Sequence, residues 1–109
     1  MSNVKLILCT FPNTEQARQI GTVLVEKQLA ACVNLVPAVE SIYRWQGKVE
    51  TASEVLAIFK TCAAALTAFE RVLTELHPYE VPEMIAIDPA DVAAPYREWL
   101  LSSVALPDQ

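Results

Sequence analysis

The side chains able to do bond-making or ligand chemistry are few, and their spacing limits what they can do. The thiols are Cys9, Cys32 and Cys62, and the single imidazole is His77. Cys9 with His77 could form a thiolate–imidazolium pair, but no nucleophile motif surrounds Cys9. An odd set of three cysteines, 23 and 30 residues apart, excludes a complete internal disulfide set and matches no close-spaced zinc pattern. Reduced thiols are expected. Gly21 and Gly47 are the only glycines, so no glycine-rich phosphate loop exists. These absences argue against an enzyme.

A second group is Tyr43, Trp45, Lys60, Tyr79 and Glu83. Aromatic rings beside a cation and a carboxylate can line a cleft for a small polar ligand. Tyrosine and tryptophan are equally the anchors that subunit interfaces use. Lys60 interrupts an apolar strand just before a helix, and a lysine buried there needs a partner, with Glu54 and Glu83 the candidates.

These residues must be positioned by one domain, since 109 residues are too few for two. The hydrophobic fraction is 53% and the mean hydropathy +0.30, high for a short soluble monomer with much surface to cover. No run approaches the ~18 apolar residues of a membrane span, because Lys60 breaks the longest candidate, Val55 to Phe69. Burial against a partner subunit is therefore expected, with no membrane partner. The start, Met1 to Lys5, lacks the pattern of a signal peptide, which makes the cytoplasm the expected compartment. Thirteen acidic against eight basic residues give a net charge of −5, which disfavours nucleic acid and mostly serves solubility.

Val4 to Phe11 reads as a buried strand, and Asn13 or Thr14 can cap the helix that follows, with a core face at Ala17, Ile20 and Leu24. Gly21 on that face lets the helix approach the sheet closely. Cys32 to Trp45 and Lys48 to Thr61 read as the arms of a long hairpin turning at Gln46-Gly47. An unbroken arm of that length extends ~46 Å at ~3.3 Å per residue. A compact domain of this size has a diameter of only ~34 Å. The hairpin must bend, project, or both, and Pro37 marks the expected bulge. Projecting aromatics left bare invite aggregation, and pairing with other copies removes that hazard.

Val55 to Phe59 is apolar without alternation, predicting burial on both faces. Thr61 is expected to cap a second helix striped with Leu66, Phe69, Leu73 and Leu76, which His77-Pro78 ends. Met84 to Ile87 reads as a short strand, and Pro95 sits in the first turn of a last helix carrying Tyr96, Trp99 and Leu100. Leu106 to Gln109 is expected to fray. The order βαββαβ plus a helix predicts an α+β fold, the ferredoxin-like split βαβ sandwich. An RNA-recognition module shares this order but needs a basic aromatic sheet face, and this chain is acidic.

Three dispersed stretches carry a resemblance: Ala31 to Pro37 (ACVNLVP), Ser41 to Glu50 (SIYRWQGKVE) and His77 to Glu83 (HPYEVPE). With Leu8-Cys9-Thr10, Tyr96 and Trp99 they resemble the CutA-like divalent-cation-tolerance family, in its order and spacing over nearly the whole chain. The resemblance implies a homotrimer of ferredoxin-like subunits, similar in architecture to PII-like signalling proteins, with a genetic link to copper and other divalent-metal tolerance and no accepted catalytic reaction. It also implies metal ligation by Cys9, His77 and Glu83, whose thiolate, imidazole and carboxylate together suit Cu²⁺. No cofactor is required, and copper or another divalent cation is the one implied. Some bacterial members carry a further histidine where this chain has Leu76, so an imidazole-rich site here must draw on several subunits. The plain alternatives are a core thiol at Cys9, a helix-end imidazole at His77 and an intersubunit acceptor at Glu83. A PII-like sensor holding a small ligand between subunits, with metal binding incidental, is the alternative function.

Overall fold

The structure, a computed structural model, describes residues 3 to 105; the tail from Leu106 lies outside the described residues. Strand β1 (Val4–Phe11) leads into helix α1 (Thr14–Glu26), then β2 (Cys32–Trp45), β3 (Lys48–Cys62), a 3₁₀ turn at Ala63–Ala65, α2 (Leu66–Leu76), β4 (Ile85–Ile87) and α3 (Ala94–Ser102). The strands form one antiparallel sheet in the order β2-β3-β1-β4. This is the expected ferredoxin-like α+β arrangement with an added helix. Among the described residues no helix is long and apolar enough to cross a membrane.

Local chemistry explains where the elements begin and end. Asn13 caps α1, its side chain accepting from the Gln16 amide at 2.8 Å. Gln46 and Gly47 both hold positive φ, 51° and 80°, which gives the tight turn between β2 and β3 the hand that matches strand twist. Pro37 falls inside the register break between Val36 and Val39, as expected for a residue with no amide to donate. Pro78 holds His77 in an extended conformation, φ −71° and ψ 137°, and so stops α2.

Alternation along the strands sorts side chains onto two faces. Ile7, Cys9 and Phe11 of β1 pair with Phe59, Ala57 and Val55 of β3, and all are buried beneath α1 and α2. Phe59 meets Phe69 of α2 edge to face, with ring centroids 4.9 Å apart. On the other face, α3 covers one end, where Leu100 packs with Val4 and Cys62. Further along that face Leu6, Leu8, Leu56 and Ile58 are half-buried, while Val36, Ile85 and Ile87 are exposed. The expected two-sided burial of Val55 to Phe59 is thus only one-sided within a single chain. The hairpin extends the molecule to 43 Å against 27 and 24 Å across, so it does outreach the domain.

Two local expectations need correction. Thr61 does not cap α2: it lies within β3, fully buried, and its hydroxyl donates to the Leu29 carbonyl at 2.6 Å. Cys62 then precedes the 3₁₀ turn without any side-chain cap. The buried stripe of α2 is Phe69, Val72 and Leu73, with Leu76 exposed at the frayed end of the pattern.

Gly21 is where α1 comes closest to the sheet. A Cβ there would lie 3.2 Å from Val33 Cγ1, tighter than ordinary contact. Gly21→Val should lower stability by about 1–3 kcal/mol through overpacking, read as a fall in the urea midpoint. Adding Val33→Ala should recover part of that loss, and no recovery in the double mutant would refute the close approach.

Candidate functional site

Two segments frame a cleft of about 670 Å³: the distal hairpin and the loop from Pro78 to Glu83. From the hairpin come Ser41, Tyr43, Trp45 and Glu54, with Thr10 at the end of β1. The loop contributes Tyr79, Glu80, Val81 and Glu83. Tyr43 and Trp45 lie two apart on one side of β2, the side on which the Val39–Glu54 pairing resumes the ladder after the bulge. They remain 43% and 44% exposed, so neither is consumed by the core of this chain.

His77 ties the loop to the sheet. Its Nε2–H donates to the Thr10 carbonyl at 2.8 Å, and its Nδ1 accepts from the Tyr79 amide at 3.1 Å. Its ring stacks on Phe11 at 4.7 Å and contacts Tyr79 at the same centroid distance. Burial lowers its pKa from the ordinary value, against smaller opposing effects from Thr10 and Glu54. The imidazole is neutral, with both nitrogens engaged. Tyr79 in turn donates its hydroxyl to Glu54, and burial first, then this bond, pushes its pKa up. A continuous chain of hydrogen bonds therefore runs from Thr10 through His77 and Tyr79 to Glu54.

Cys9 is fully buried on the helix side of β1, where its thiol donates weakly to the Thr10 carbonyl at 3.7 Å. Desolvation, reinforced by Glu83 and Glu54, pushes its pKa up to about 12. It is a protonated core thiol. Among the described residues no three His, Cys, Asp or Glu side chains cluster to hold a metal ion. Glu83 is near enough to Cys9 to oppose ionisation of its thiol, and of Cys9, His77 and Glu83 only the half-buried Glu83 lines the cleft.

Of the expected cleft residues, Tyr43, Trp45, Tyr79 and Glu83 are brought together and Lys60 is not. Lys60 lies opposite Cys32 in the ladder and bonds Asn34, not the expected Glu54 or Glu83. From sequence, Glu54 is only a candidate partner for Lys60; its burial and its bond to Tyr79 depend on the 77–83 loop folding over β3, which the sequence does not spell out. Thr10 and Glu80 lie within the stretches that carry the family resemblance but are not among the expected cleft residues.

Residues 5–103 match the family model described as CutA1 divalent ion tolerance protein. The chain belongs to the CutA1 divalent ion tolerance family. It is 45% identical over 96 residues to the divalent-cation tolerance protein CutA of Thermus thermophilus, covering 88% of this chain and 93% of that protein. Human Protein CutA is 43% identical over 98 residues, which are 90% of this chain and 55% of the human protein. The chain thus spans about half the length of that mammalian relative. Among solved structures, CutA from Xylella fastidiosa superposes with a TM-score of 0.92 at 40% identity, covering 95% of this chain and all of that one (100%). The Thermus thermophilus CutA1 structure gives 0.91 at 42% identity, over 94% and 99% of the two chains.

The bonding of His77 has a measurable consequence. Because the folded protein disfavours the imidazolium, His77 contributes stability above the unfolded pKa of about 6.5, and that contribution is lost as pH falls through the lowered folded value. As the only histidine, it gives a single imidazole signal in NMR. That signal should titrate below about 6.5 and show the Nε2–H tautomer. A titration at or above the free value would contradict the buried neutral ring. Native alkylation with iodoacetamide should label the half-buried Cys32 ahead of Cys9 and Cys62, as read by peptide mass spectrometry. Rapid labelling of Cys9 would overturn its assignment as a core thiol.

Proposed function

We propose that this chain acts as a homotrimeric binding protein of divalent-cation tolerance, taking cations into the acidic, aromatic cleft beside its hairpin. The observation that carries the reading is a cleft edged by Tyr43, Trp45 and Tyr79 whose charged lining residues, Glu54, Glu80 and Glu83, are all acidic; they stand around it without clustering into a ready three-ligand site. Carboxylate oxygens at such a site attract cations and repel phosphates and carboxylates. The family's description names tolerance of divalent ions rather than a reaction, in keeping with a binding role.

Trimer formation is supported by the uncovered apolar strip of Leu6, Leu8, Leu56 and Ile58 with the exposed Val36, Ile85 and Ile87. It is also supported by β2, an edge strand of 14 residues with one side unpaired. Cytoplasmic residence fits three free thiols. Metal ligation by Cys9, His77 and Glu83 would require deprotonating a thiol with a pKa of about 12 and breaking a hydrogen bond of His77. The accessible carboxylates are the better ligand atoms, hard oxygens suited to divalent ions at moderate affinity.

Sedimentation velocity should give three times the mass of the chain. Ile85→Asp should shift the protein toward monomer, since Ile85 is 51% exposed in a lone chain and a charge there opposes only assembly. A monomeric wild type at micromolar concentration would end the trimer proposal. Calorimetric titration with Cu²⁺ and Mn²⁺ should weaken in Glu54→Gln and Glu83→Gln and persist in Cys9→Ser. The opposite pattern, loss in Cys9→Ser alone, would move the site to the thiol.

A further inference from the structure

The composition of the cleft goes beyond what a bare metal ion needs. Its volume, about 670 Å³, falls in the range of small-molecule sites, whereas a water-sized species fills only ~30 Å³. Three aromatic rings edge it, and neither Tyr43 nor Trp45 stacks on another ring among the described residues, so their π-faces are uncommitted. Glu54 is only 8% exposed and uses one oxygen to accept the Tyr79 hydroxyl. Its other oxygen receives no hydrogen bond from the described residues, yet none of the buried polar atoms among them is left without a partner. That oxygen is accordingly open, and Glu54 lines the cleft.

We propose that the cleft receives a small organic cation of the methylated-ammonium class, its charge facing Glu54 and Glu83 and its methyl groups against Tyr43, Trp45 and Tyr79. The inference rests on the cleft being the ligand site. Each part of such a ligand meets a matching surface. Methyl groups on a quaternary nitrogen cannot donate strong hydrogen bonds, so aromatic faces recognise them through the ring quadrupole and dispersion. The carboxylate of Glu54, with one oxygen not engaged by Tyr79, supplies the countercharge. An anionic ligand meets repulsion, and a neutral one gains at most a hydrogen bond from the glutamates, without the attraction between opposite charges. The negative field reaches through β1 as well, for Glu83 and Glu54 both oppose ionisation of the Cys9 thiol.

The test is calorimetric titration of the full chain with tetramethylammonium chloride. The controls are tert-butanol, of similar size and uncharged, and sodium chloride at matched ionic strength. Saturable binding of tetramethylammonium, with tert-butanol at least about five-fold weaker, is the expected result. Trp45→Leu and Glu54→Gln should each weaken it by about five-fold or more while sedimentation is unchanged. Tyr43→Leu gives the same readout should Glu54→Gln fail to fold. Equal binding of the two probes would reduce the cleft to a greasy pocket and overturn the proposal. Divalent-ion binding without any tetramethylammonium signal would overturn it while leaving the cation-binding role intact. Loss of both signals in an intact trimer would remove the cleft as a ligand site. Loss of the trimer in Trp45→Leu with affinity unchanged would make Trp45 an interface anchor alone, and the proposal would fall.

Discussion

The pairing of β2 with β3 is the constraint on which the rest of the molecule depends. The ladder begins at Cys32–Lys60, breaks between Val36 and Val39, and resumes to Trp45–Lys48. Before the break it completes the sheet that α1 and α2 cover. After the break it leaves the globule, carrying Tyr43 and Trp45 outward and bringing Glu54 to the mouth of the cleft. A regular ladder would keep the strands in step, whereas here Pro37 and Ala38 of β2 lie opposite Val55 alone, an extra residue that bends the strand. The bulge lets one continuous hairpin serve as core strand at one end and as cleft wall at the other.

The second fixed point is His77. Proline after it forbids another helical turn, and the ring that swings out is bonded at both nitrogens and stacked on Phe11. One side chain therefore sets the height of the whole 77–83 loop above β1. Tyr79 and Glu83 face the hairpin across the cleft from a loop whose entry His77 pins. The histidine reads as a brace between a strand and a loop, and its chemistry is spent on holding position.

Much of this was legible in the residues. Element order, the α1 core face, the turn at Gln46-Gly47, the bulge at Pro37 and the end of α2 all rest on local rules of backbone geometry, and local rules are visible in a sequence. What was not legible depended on registers between distant strands. Lys60 looks like a cleft cation beside two aromatics, but the ladder sets it opposite Cys32, where Asn34 supplies its bond. Thr61 has the residue type of a cap and the position of one, but Leu29 offers its hydroxyl a carbonyl first. Glu54, the most deeply buried carboxylate of the cleft, is legible only as a partner for Lys60, because its true partner, Tyr79, comes from a loop 25 residues away.

The central place of β3 has a further consequence for how the chain is made. Both β1 and β2 pair with β3, and β1 touches β2 nowhere in the ladder. The partner of Phe11 is Val55, 44 residues later in the chain. At the ~5–20 residues per second of synthesis, roughly 2–9 s separate the two on the ribosome. During that interval the first strand, with Ile7, Cys9 and Phe11, has no sheet to join. That unpaired apolar strand is the part of the nascent chain most open to aggregation until β3 is made.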